Sequence, residues 1–257
     1  MTPIILKTKY AFHSLLWLIN PDLVLDIGSM DGADSMRFRS LLRKANLVAF
    51  EANPHNYANM CADERVGSCG IRVVNTLISG SIGARSFYIQ RPTGSTPQTN
   101  RGTGSAIPRN EIGMENVELQ IDSIRIDTFL ETECPNAINI ALWVDVEGFA
   151  FEVLESLENA ADKISLIHVE AETKECWPGQ RLEPEVEQLL ARMGFVMLAH
   201  GKHDIQRDLL FVRSDLYLSR QSAIDFALQL ARWAGPALSR ALSIFPREKR
   251  ASFATEL

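Results

Sequence analysis

Cysteine is scarce in this chain of 257 residues, which contains only Cys61, Cys69, Cys134 and Cys176. No two of them have the CxxC spacing of a metal or redox motif, and their density is far below that of a small secreted domain held by disulfides. No zinc site is expected, because no cluster of Cys and His has suitable spacing. We therefore expect reduced thiols and a cytoplasmic protein.

Basic residues are also in the minority, since 26 Lys and Arg stand against 32 Asp and Glu, for a net charge of -6. A general nucleic-acid-binding protein normally shows a basic excess or stripe, so no nucleic-acid partner is expected. Long apolar runs are missing as well. The uncharged stretch from Tyr10 to Pro21 is too short to span a bilayer, and no small-residue cleavage site of a signal peptide follows it. The prediction for residues 1–22 is a helical segment without a transmembrane span.

The fingerprint of a dinucleotide site, GxGxxG, is absent too. Gly28 and Gly32 instead follow the apolar run Leu23–Ile27 at GxxxG spacing. A second apolar run, 47–50, ends at Glu51. Continuous apolar runs are typical of buried parallel strands, and an acid about 20 residues beyond the glycines accepts the ribose hydroxyls of a nucleoside. The spacing predicts a nucleoside-binding βαβ unit.

Two acids, Asp26 and Asp31, flank the glycine-rich turn and indicate which nucleoside it binds. Carboxylates repel a pyrophosphate but attract the ammonium and sulfonium groups of S-adenosylmethionine. An alternative interpretation is a plain strand-to-helix turn in which an Asp caps the helix. At the level of function, the alternatives to S-adenosylmethionine chemistry are an NAD-dependent oxidoreductase and a catalytically silent nucleoside-binding or scaffold module.

The remaining segments alternate between strand and helix patterns. The last two strands are about eight residues apart, too few for a parallel crossover, so they are expected to form an antiparallel hairpin. The fold class predicted is α/β, with a doubly wound, mostly parallel sheet closed by that terminal hairpin. We predict further strands at 71–78, 85–90, 117–126, 138–146, 164–172, 195–200 and 209–213, and helices at 35–43, 53–61, 149–157 and 184–193.

Two segments fall outside this alternation. Residues 91–116 are rich in Gly, Ser, Thr, Pro and Asn, and we interpret them as a substrate lid loop. The three arginines of the loop, Arg91, Arg101 and Arg109, hint at an anionic or polyhydroxylated substrate. Residues 215–257 form a C-terminal helical extension with apolar stripes, for which the interpretations are a helical hairpin packed on the domain, a homodimer contact and a membrane-surface contact.

Several motifs together resemble the FkbM family of S-adenosylmethionine-dependent methyltransferases. The resemblance extends over about residues 23–214 and implies a seven-stranded, Rossmann-like class I methyltransferase sheet. It also implies O-methylation of a hydroxyl on a sugar, glycolipid, polyketide or related metabolite. The motifs are Val24-Leu-Asp-Ile-Gly-Ser, Phe50-Glu-Ala-Asn-Pro, Gly104-Ser-Ala-Ile-Pro, Ile126-Asp-Thr-Phe-Leu, Val144-Asp-Val-Glu-Gly-Phe and His168-Val-Glu-Ala-Glu.

The resemblance also implies a set of cofactor-binding residues. The turn after the first strand would surround the methionine end of the cofactor, Glu51 would bind the ribose, and the end of the third strand would lie against the adenine. The set comprises Asp26, Gly28, Ser29, Asp31, Gly32, Glu51, Ala52, Asn53, Ile78, Ser79 and Asp145.

Carboxylates at two strand ends are the candidate catalytic residues. Asp145 and Glu147 follow one predicted strand, and Glu170 and Glu172 alternate along the next, so that the last two share a face. Ligands of open α/β sheets bind at such carboxyl ends. We predict Asp145, Glu147 and Glu170 as catalytic, with a general base among them. A divalent cation held by Asp145, Glu170 and Glu172 is a further interpretation.

Overall fold

The structure, a computed structural model, describes residues 2–94, 102–202 and 204–244. A 3-10 helix at Glu158–Lys163 accompanies the following elements. They are β1 (Ile4–Ile5), α1 (Thr8–Ile19), β2 (Leu23–Ile27), α2 (Ala33–Leu41), β3 (Asn46–Phe50), α3 (Pro54–Ala62), α4 (Glu64–Ser68), β4 (Arg72–Val74), β5 (Leu77–Ile78), β6 (Gly83–Pro92), β7 (Met114–Ile124), α5 (Ile126–Glu133), β8 (Ile140–Val144), α6 (Ala150–Glu155), β9 (Ile164–Glu172), α7 (Glu183–Arg192), β10 (Phe195–His200), β11 (Gln206–Arg213) and α8 (Ser214–Ile244).

The main sheet has the order β1-β10-β11-β9-β8-β2-β3-β4. Strands β4, β3, β2, β8 and β9 are parallel, whereas β11 runs antiparallel to both β9 and β10. The predicted doubly wound sheet with a terminal hairpin is therefore confirmed. The two-residue strand β1, which pairs with β10, extends the predicted seven strands to eight.

Helices cover both faces of this sheet, which is why its central strands β2 and β8 are apolar except for Asp26. Every residue of β2 and of β8 is buried. Helices α5, α6 and α7 pack on one face, and α1, α2 and α8 pack on the other. Because β2, β3 and β8 are parallel, their carboxyl ends lie at one edge of the sheet, where the loops that follow them meet.

The third predicted strand, 71–78, is wrong as a continuous element. It divides into β4, at the edge of the main sheet, and β5, which belongs to a separate three-stranded sheet with β6 and β7. The division occurs at Asn75 and Thr76. The Asn75 side-chain amide donates to the Glu51 and Ala52 carbonyls at 2.7 and 3.2 Å, and Thr76 Oγ1 donates to the Asp122 carbonyl at 2.7 Å. These bonds direct the chain from one sheet to the other.

The predicted lid loop, 91–116, is shorter in the structure than its boundaries suggested. Its first two residues end β6 and its last three begin β7, because the antiparallel ladder of these strands continues to the Pro92–Met114 pair. Residues 95–101, including Arg101, lie outside the described residues. The part between 102 and 113 lies beside β6, where Ser105 and Tyr88 form an isolated bridge.

The C-terminal extension packs on the domain against α1, and its helical residues, Ser214–Ile244, are interrupted by two kinks. The kinks lie at Arg220 and Ala234, where the backbone dihedrals are not helical. Gly235 lies over the Tyr10 ring so closely that a Cβ would come within 2.8 Å of it. His13 Nδ1 and Ser239 Oγ are 2.8 Å apart. Residues 245–257 lie outside the described residues.

The sequence also predicts that the chain lacks a transmembrane span and that its cysteines are reduced. In the part of the chain that the structure describes, no helix combines the length and the apolar character needed to cross a membrane. All four cysteines are free.

The packing of α8 predicts that the C-terminal extension is part of the domain core. Leu228 is completely buried, while Leu230, on the same helix, is 37% exposed. Leu228→Ala should lower the free energy of unfolding by about 2–5 kcal/mol, as buried Leu→Ala changes do. Leu230→Ala is the matched control and should change it by less than about 1 kcal/mol. Equal values in urea unfolding would show that the helix does not belong to the cooperative unit.

Candidate functional site

A close approach between two loops builds the site. Gly28 follows β2 with φ +85°, and a Cβ at this position would lie 1.8 Å from the Asp145 carbonyl oxygen. The Asp145 amide donates to the Ile27 carbonyl at 2.9 Å, and the Gly28 and Ser29 amides donate to the Phe50 carbonyl at 3.0 and 3.1 Å. The ends of β2, β3 and β8 are therefore joined by backbone contacts that only glycine permits at position 28.

A cavity opens beside this junction. Together with the open solvent at its mouth, this space measures about 680 Å³. Of the predicted cofactor residues, Gly28, Glu51, Ala52, Asn53, Ile78 and Asp145 line it. The other lining residues are Ile27, Met30, Phe50, Asn56, Thr76, Leu77, Phe87, Gly102, Gly104, Ala106, Val146, Glu147 and Phe149.

Glu51 is held rigidly at one end of the cavity. Its two carboxylate oxygens accept hydrogen bonds from the Met30 and Asn53 amides, each at 2.7 Å. Burial raises the pKa of Glu51 to about 7, although these bonds oppose the shift. The Asn53 side chain is 1% exposed, and its Nδ2 atom has no hydrogen-bond partner among the described residues. A buried donor of this kind fits a ligand that supplies an acceptor.

An apolar slot adjoins Glu51. Phe50, at the end of β3, and Ile78, at the end of β5, line it, and Phe87 reaches it from β6. Gly104 packs against the Phe87 ring so tightly that a Cβ would lie 2.6 Å from it. The second sheet thus supplies the wall of the slot, and a flat heterocycle fits between such apolar surfaces.

Five predicted cofactor residues do not line the cavity. Asp26 is buried, with its Oδ2 atom accepting from the Ser29 and Ser35 hydroxyls at 2.7 and 2.6 Å. Burial raises the pKa of Asp26 to about 7. Asp31, one residue before the N-cap Gly32, accepts from the amide of Ala33, the first residue of α2, at 3.0 Å. Gly32 lies at the start of α2, and the Ser79 hydroxyl donates to the Ser81 carbonyl at 2.8 Å.

Two acids that line the cavity, Asp145 and Glu147, form a cluster of carboxylates with Glu170. Asp145, Glu147 and Glu170 each place an oxygen within 4.8 Å of the others. Asp145 lines the cavity and is exposed to solvent there, but the surrounding protein still desolvates its carboxylate. Burial raises all three pKa values, and the negative charges of neighbouring acids raise them further. The pKa reaches about 6 for Asp145, about 7 for Glu147 and about 9 for Glu170.

Glu172 belongs to a different environment from the one predicted for it. It is 1% exposed, and its Oε2 atom accepts a hydrogen bond from Gln180 Nε2 at 2.8 Å. The carboxylate group that the structure brings together therefore contains Glu147 where the predicted cation set contained Glu172. Alternation along β9 could not show this, because Gln180 comes from the loop that follows the strand.

The described end of the lid segment is anchored on the loop that carries these acids. Ser105 Oγ donates to the Glu147 carbonyl at 2.6 Å. Glu147 has φ +48°, and the next residue, Gly148, has φ +82° and lies under the Trp177 ring, where a Cβ would come within 2.6 Å. The Arg109 guanidinium covers the same ring at 5.0 Å from its centre. The segment therefore fixes the turn that positions Glu147.

The two described arginines of the segment, Arg91 and Arg109, have partners other than a ligand. Arg91 Nε lies 2.6 Å from Glu115 Oε1, and Arg109 lies 3.8 Å from Glu111 while it stacks on Trp177. Arg101 is outside the described residues. The hint of an anionic substrate from these three arginines therefore finds no support in the described part of the site.

Several lining residues were not predicted from the sequence. Thr76, Leu77 and Phe87 come from the second sheet, whose placement depends on the divided strand at 71–78. Met30 lies inside the predicted turn and has φ +54°, an unusual backbone conformation for a residue with a side chain. The motif Gly104-Ser-Ala-Ile-Pro was a usable signal for the wall beside Phe87.

Comparison with known proteins gives two findings at the level of sequence. Residues 26–197 match the model of a family described as the methyltransferase FkbM domain. The chain is also similar to a protein from Sinorhizobium fredii named 2-O-methyltransferase NoeI. The two are 24% identical over 216 residues, which cover 82% of this chain and 87% of that protein.

Solved structures resemble the chain more distantly. Magnesium protoporphyrin IX methyltransferase from Synechocystis, determined with bound S-adenosylmethionine, is 12% identical, with 80% of each chain covered and a TM-score of 0.44. A precorrin-6y C5,15-methyltransferase from Geobacter metallireducens is 9% identical, with 79% of this chain and 86% of that chain covered and a TM-score of 0.44. We assign the fold class from the strand order of the main sheet and not from these TM-scores.

The contact between Gly28 and Asp145 predicts that a methyl group at position 28 abolishes the cavity. Gly28→Ala should weaken binding of S-adenosylhomocysteine by at least about a hundredfold, because the carbonyl at 1.8 Å is backbone and the two strand ends must separate. Gly70→Ala is the control, since Gly70 also has a positive φ, +60°, but nothing lies near its Cβ position. Calorimetry that finds equal affinity for the two variants would contradict this geometry.

Proposed function

Because the chain belongs to the FkbM methyltransferase family, we propose that it transfers a methyl group from S-adenosylmethionine to a hydroxyl of a sugar, glycolipid, polyketide or related metabolite. One observation carries the proposal: a single cavity is lined by Glu51 and by Asp145 and Glu147, and these last two form a cluster of three carboxylates with Glu170. The similarity to a protein named 2-O-methyltransferase supports oxygen as the acceptor atom. An NAD-dependent oxidoreductase has no comparable support.

The residues of the cavity fit S-adenosylmethionine along its whole length. Glu51 would accept the ribose hydroxyls, and the slot beside Phe50, Ile78 and Phe87 would hold the adenine, with Asn53 Nδ2 as a donor for the nucleoside. Asp145 and Glu147 line the end where positive charge would be stabilised. When bound, the cofactor supplies an electrophilic methyl group on a cationic sulfur.

Asp145 is the general base of this proposal. Its pKa, about 6, leaves it ionised at neutral pH, whereas the pKa of about 9 at Glu170 keeps that group protonated before ligands bind. As the bond from the acceptor oxygen to the methyl carbon forms and the bond from carbon to sulfur breaks, the hydroxyl proton passes to the Asp145 carboxylate. Glu147 and Glu170 then act by orienting the acceptor and by holding negative charge near the sulfonium.

The charge of the cluster also limits the acceptor. An anionic group placed beside Asp145, Glu147 and Glu170 would meet like charge in a partly desolvated cleft. The described arginines near the cleft are occupied by Glu115, Glu111 and Trp177. We therefore propose an acceptor whose reacting part is an uncharged hydroxyl with polar neighbours, such as a sugar ring, and not an anionic group.

Methyl transfer activity tests the proposal directly. The protein is incubated with S-adenosylmethionine and a panel of sugars, glycolipids and polyketides, and formation of S-adenosylhomocysteine is measured. Asp145→Asn should lower kcat by roughly 100-fold or more, the usual contribution of a general base, while Asp122→Asn, a change at an exposed acid of β7, should leave it unchanged.

Two further arms separate the alternatives. Activity that survives a chelator assigns the three carboxylates to cofactor and acceptor, whereas loss that Mg²⁺ restores would assign them to a divalent cation. A folded protein that binds S-adenosylmethionine but methylates nothing in the panel, and whose cavity variants act only on binding, would support the silent nucleoside-binding module.

The raised pKa values make a second prediction about cofactor binding. In the free protein Glu147 and Glu170 retain protons at neutral pH, and a nearby cation lowers their pKa values, so binding of S-adenosylmethionine should release protons. Its Kd should consequently fall as the pH rises from about 6 to about 9. S-adenosylhomocysteine, whose sulfur is uncharged, should release fewer protons and show a shallower dependence. Calorimetry in buffers of different ionisation enthalpy measures the difference, and identical proton release by both ligands would contradict the charge pairing.

A further inference from the structure

Helix α8 is apolar on two opposite sides. Ile224, Leu228 and Ala231 are buried against the domain. Phe226, Leu230 and Trp233 follow one another at intervals of four and three residues, so they share a face about half a turn away from the buried side chains. An ordinary surface helix has one apolar stripe and a polar opposite face. The second stripe of α8 therefore needs an explanation.

The second stripe is also strongly exposed. The Trp233 side chain is 84% exposed and that of Phe226 64% exposed, with Leu230 between them at 37%. Leu218 and Ile244, near the two ends of the helix, are 74% and 68% exposed. Single exposed apolar residues are common, but a row of large ones that includes Trp and Phe marks a surface that contacts another body.

Positive charge accompanies the stripe. Arg220, Arg232 and Arg240 are exposed, and none of them forms an ion pair with an acid in the part of the chain that the structure describes. These are the three basic side chains of α8, which also carries two acids, Asp215 and Asp225, whereas the whole chain has a net charge of -6. The only acid of α8 after its first turn, Asp225, accepts from the Tyr217 hydroxyl at 3.2 Å. Asp215 pairs with Arg213, so the three arginines remain as exposed positive charges without an acidic partner in the described part of the chain.

We propose that this face of α8 docks on an anionic lipid surface. Exposed Trp and Phe side chains enter the interfacial region of a bilayer, and arginines beside them pair with lipid phosphates. The helix would lie in the plane of the membrane, with its buried stripe still packed on α1. This inference does not depend on the proposed methyl transfer.

A second copy of the chain fits the face less well. In a two-fold contact each side chain meets the same region of its partner, so the arginines of both helices would be brought together, and Asp225 is the only acid of each helix beyond its first turn. An anionic membrane supplies the opposite charge along the whole helix. Charge complementarity therefore favours lipid over self-association.

Vesicle co-sedimentation of the full chain tests the proposal. We expect binding to vesicles made of equal parts of phosphatidylcholine and phosphatidylglycerol, little binding to phosphatidylcholine alone, and weakening by salt. The double variant Phe226→Ser with Trp233→Ser should bind at least about tenfold more weakly. Arg232→Gln and Arg240→Gln should each cost roughly fivefold.

The control is a double variant at equally exposed apolar residues elsewhere, Ile82→Ser with Ile112→Ser, which should bind as the wild type does. Thermal unfolding checks that all variants are folded. The proposal is overturned if the wild type ignores anionic vesicles, if it binds both vesicle types equally, or if the Phe226 and Trp233 changes have no effect. It is also overturned if sedimentation velocity finds a dimer that these changes dissociate and the vesicles bind nothing, since a second copy then covers the face.

Discussion

The contact of Gly28 with the Asp145 carbonyl is the constraint on which the rest of the site depends. It joins the loop after β2 to the loop after β8 at a distance that leaves no room for a side chain at position 28. The Phe50 carbonyl accepts from the Gly28 and Ser29 amides, so the end of β3 belongs to the same junction. Because of this junction, Glu51 and Asp145 line one cavity although they are far apart in the sequence.

The electrostatics of the cavity follow from that arrangement. Asp145, Glu147 and Glu170 lie together, and burial and mutual repulsion raise the pKa of each of them. The described arginines nearby, Arg91 and Arg109, have other partners. Such a site is unfavourable for the free protein and becomes favourable when a cation enters it. S-adenosylmethionine carries a sulfonium and an ammonium group, so its binding would offset the repulsion among these carboxylates. The raised pKa values and the methyl transfer that we propose therefore both follow from the placement of three acids at one site.

The sequence predicted the parts of this site that depend on local spacing. The apolar runs before Gly28 and Glu51 have to be buried parallel strands, and the short connection before β11 has to be a hairpin. Asp31 shows the limit of such reasoning, because an acid beside a turn serves equally well as a helix cap. Phe87 and Gln180, the hydrogen-bond partner of Glu172, come from segments whose position relative to the site depends on tertiary packing. Local spacing in the sequence does not predict that position.

The most direct test of the central claim is a crystal structure of the protein with S-adenosylhomocysteine. The account predicts ribose hydroxyls within hydrogen-bonding distance of Glu51, the base between Phe50, Ile78 and Phe87, and the sulfur toward Asp145 and Glu147. A nucleoside bound elsewhere, or one in this cavity with its sulfur directed away from the carboxylates, would contradict it.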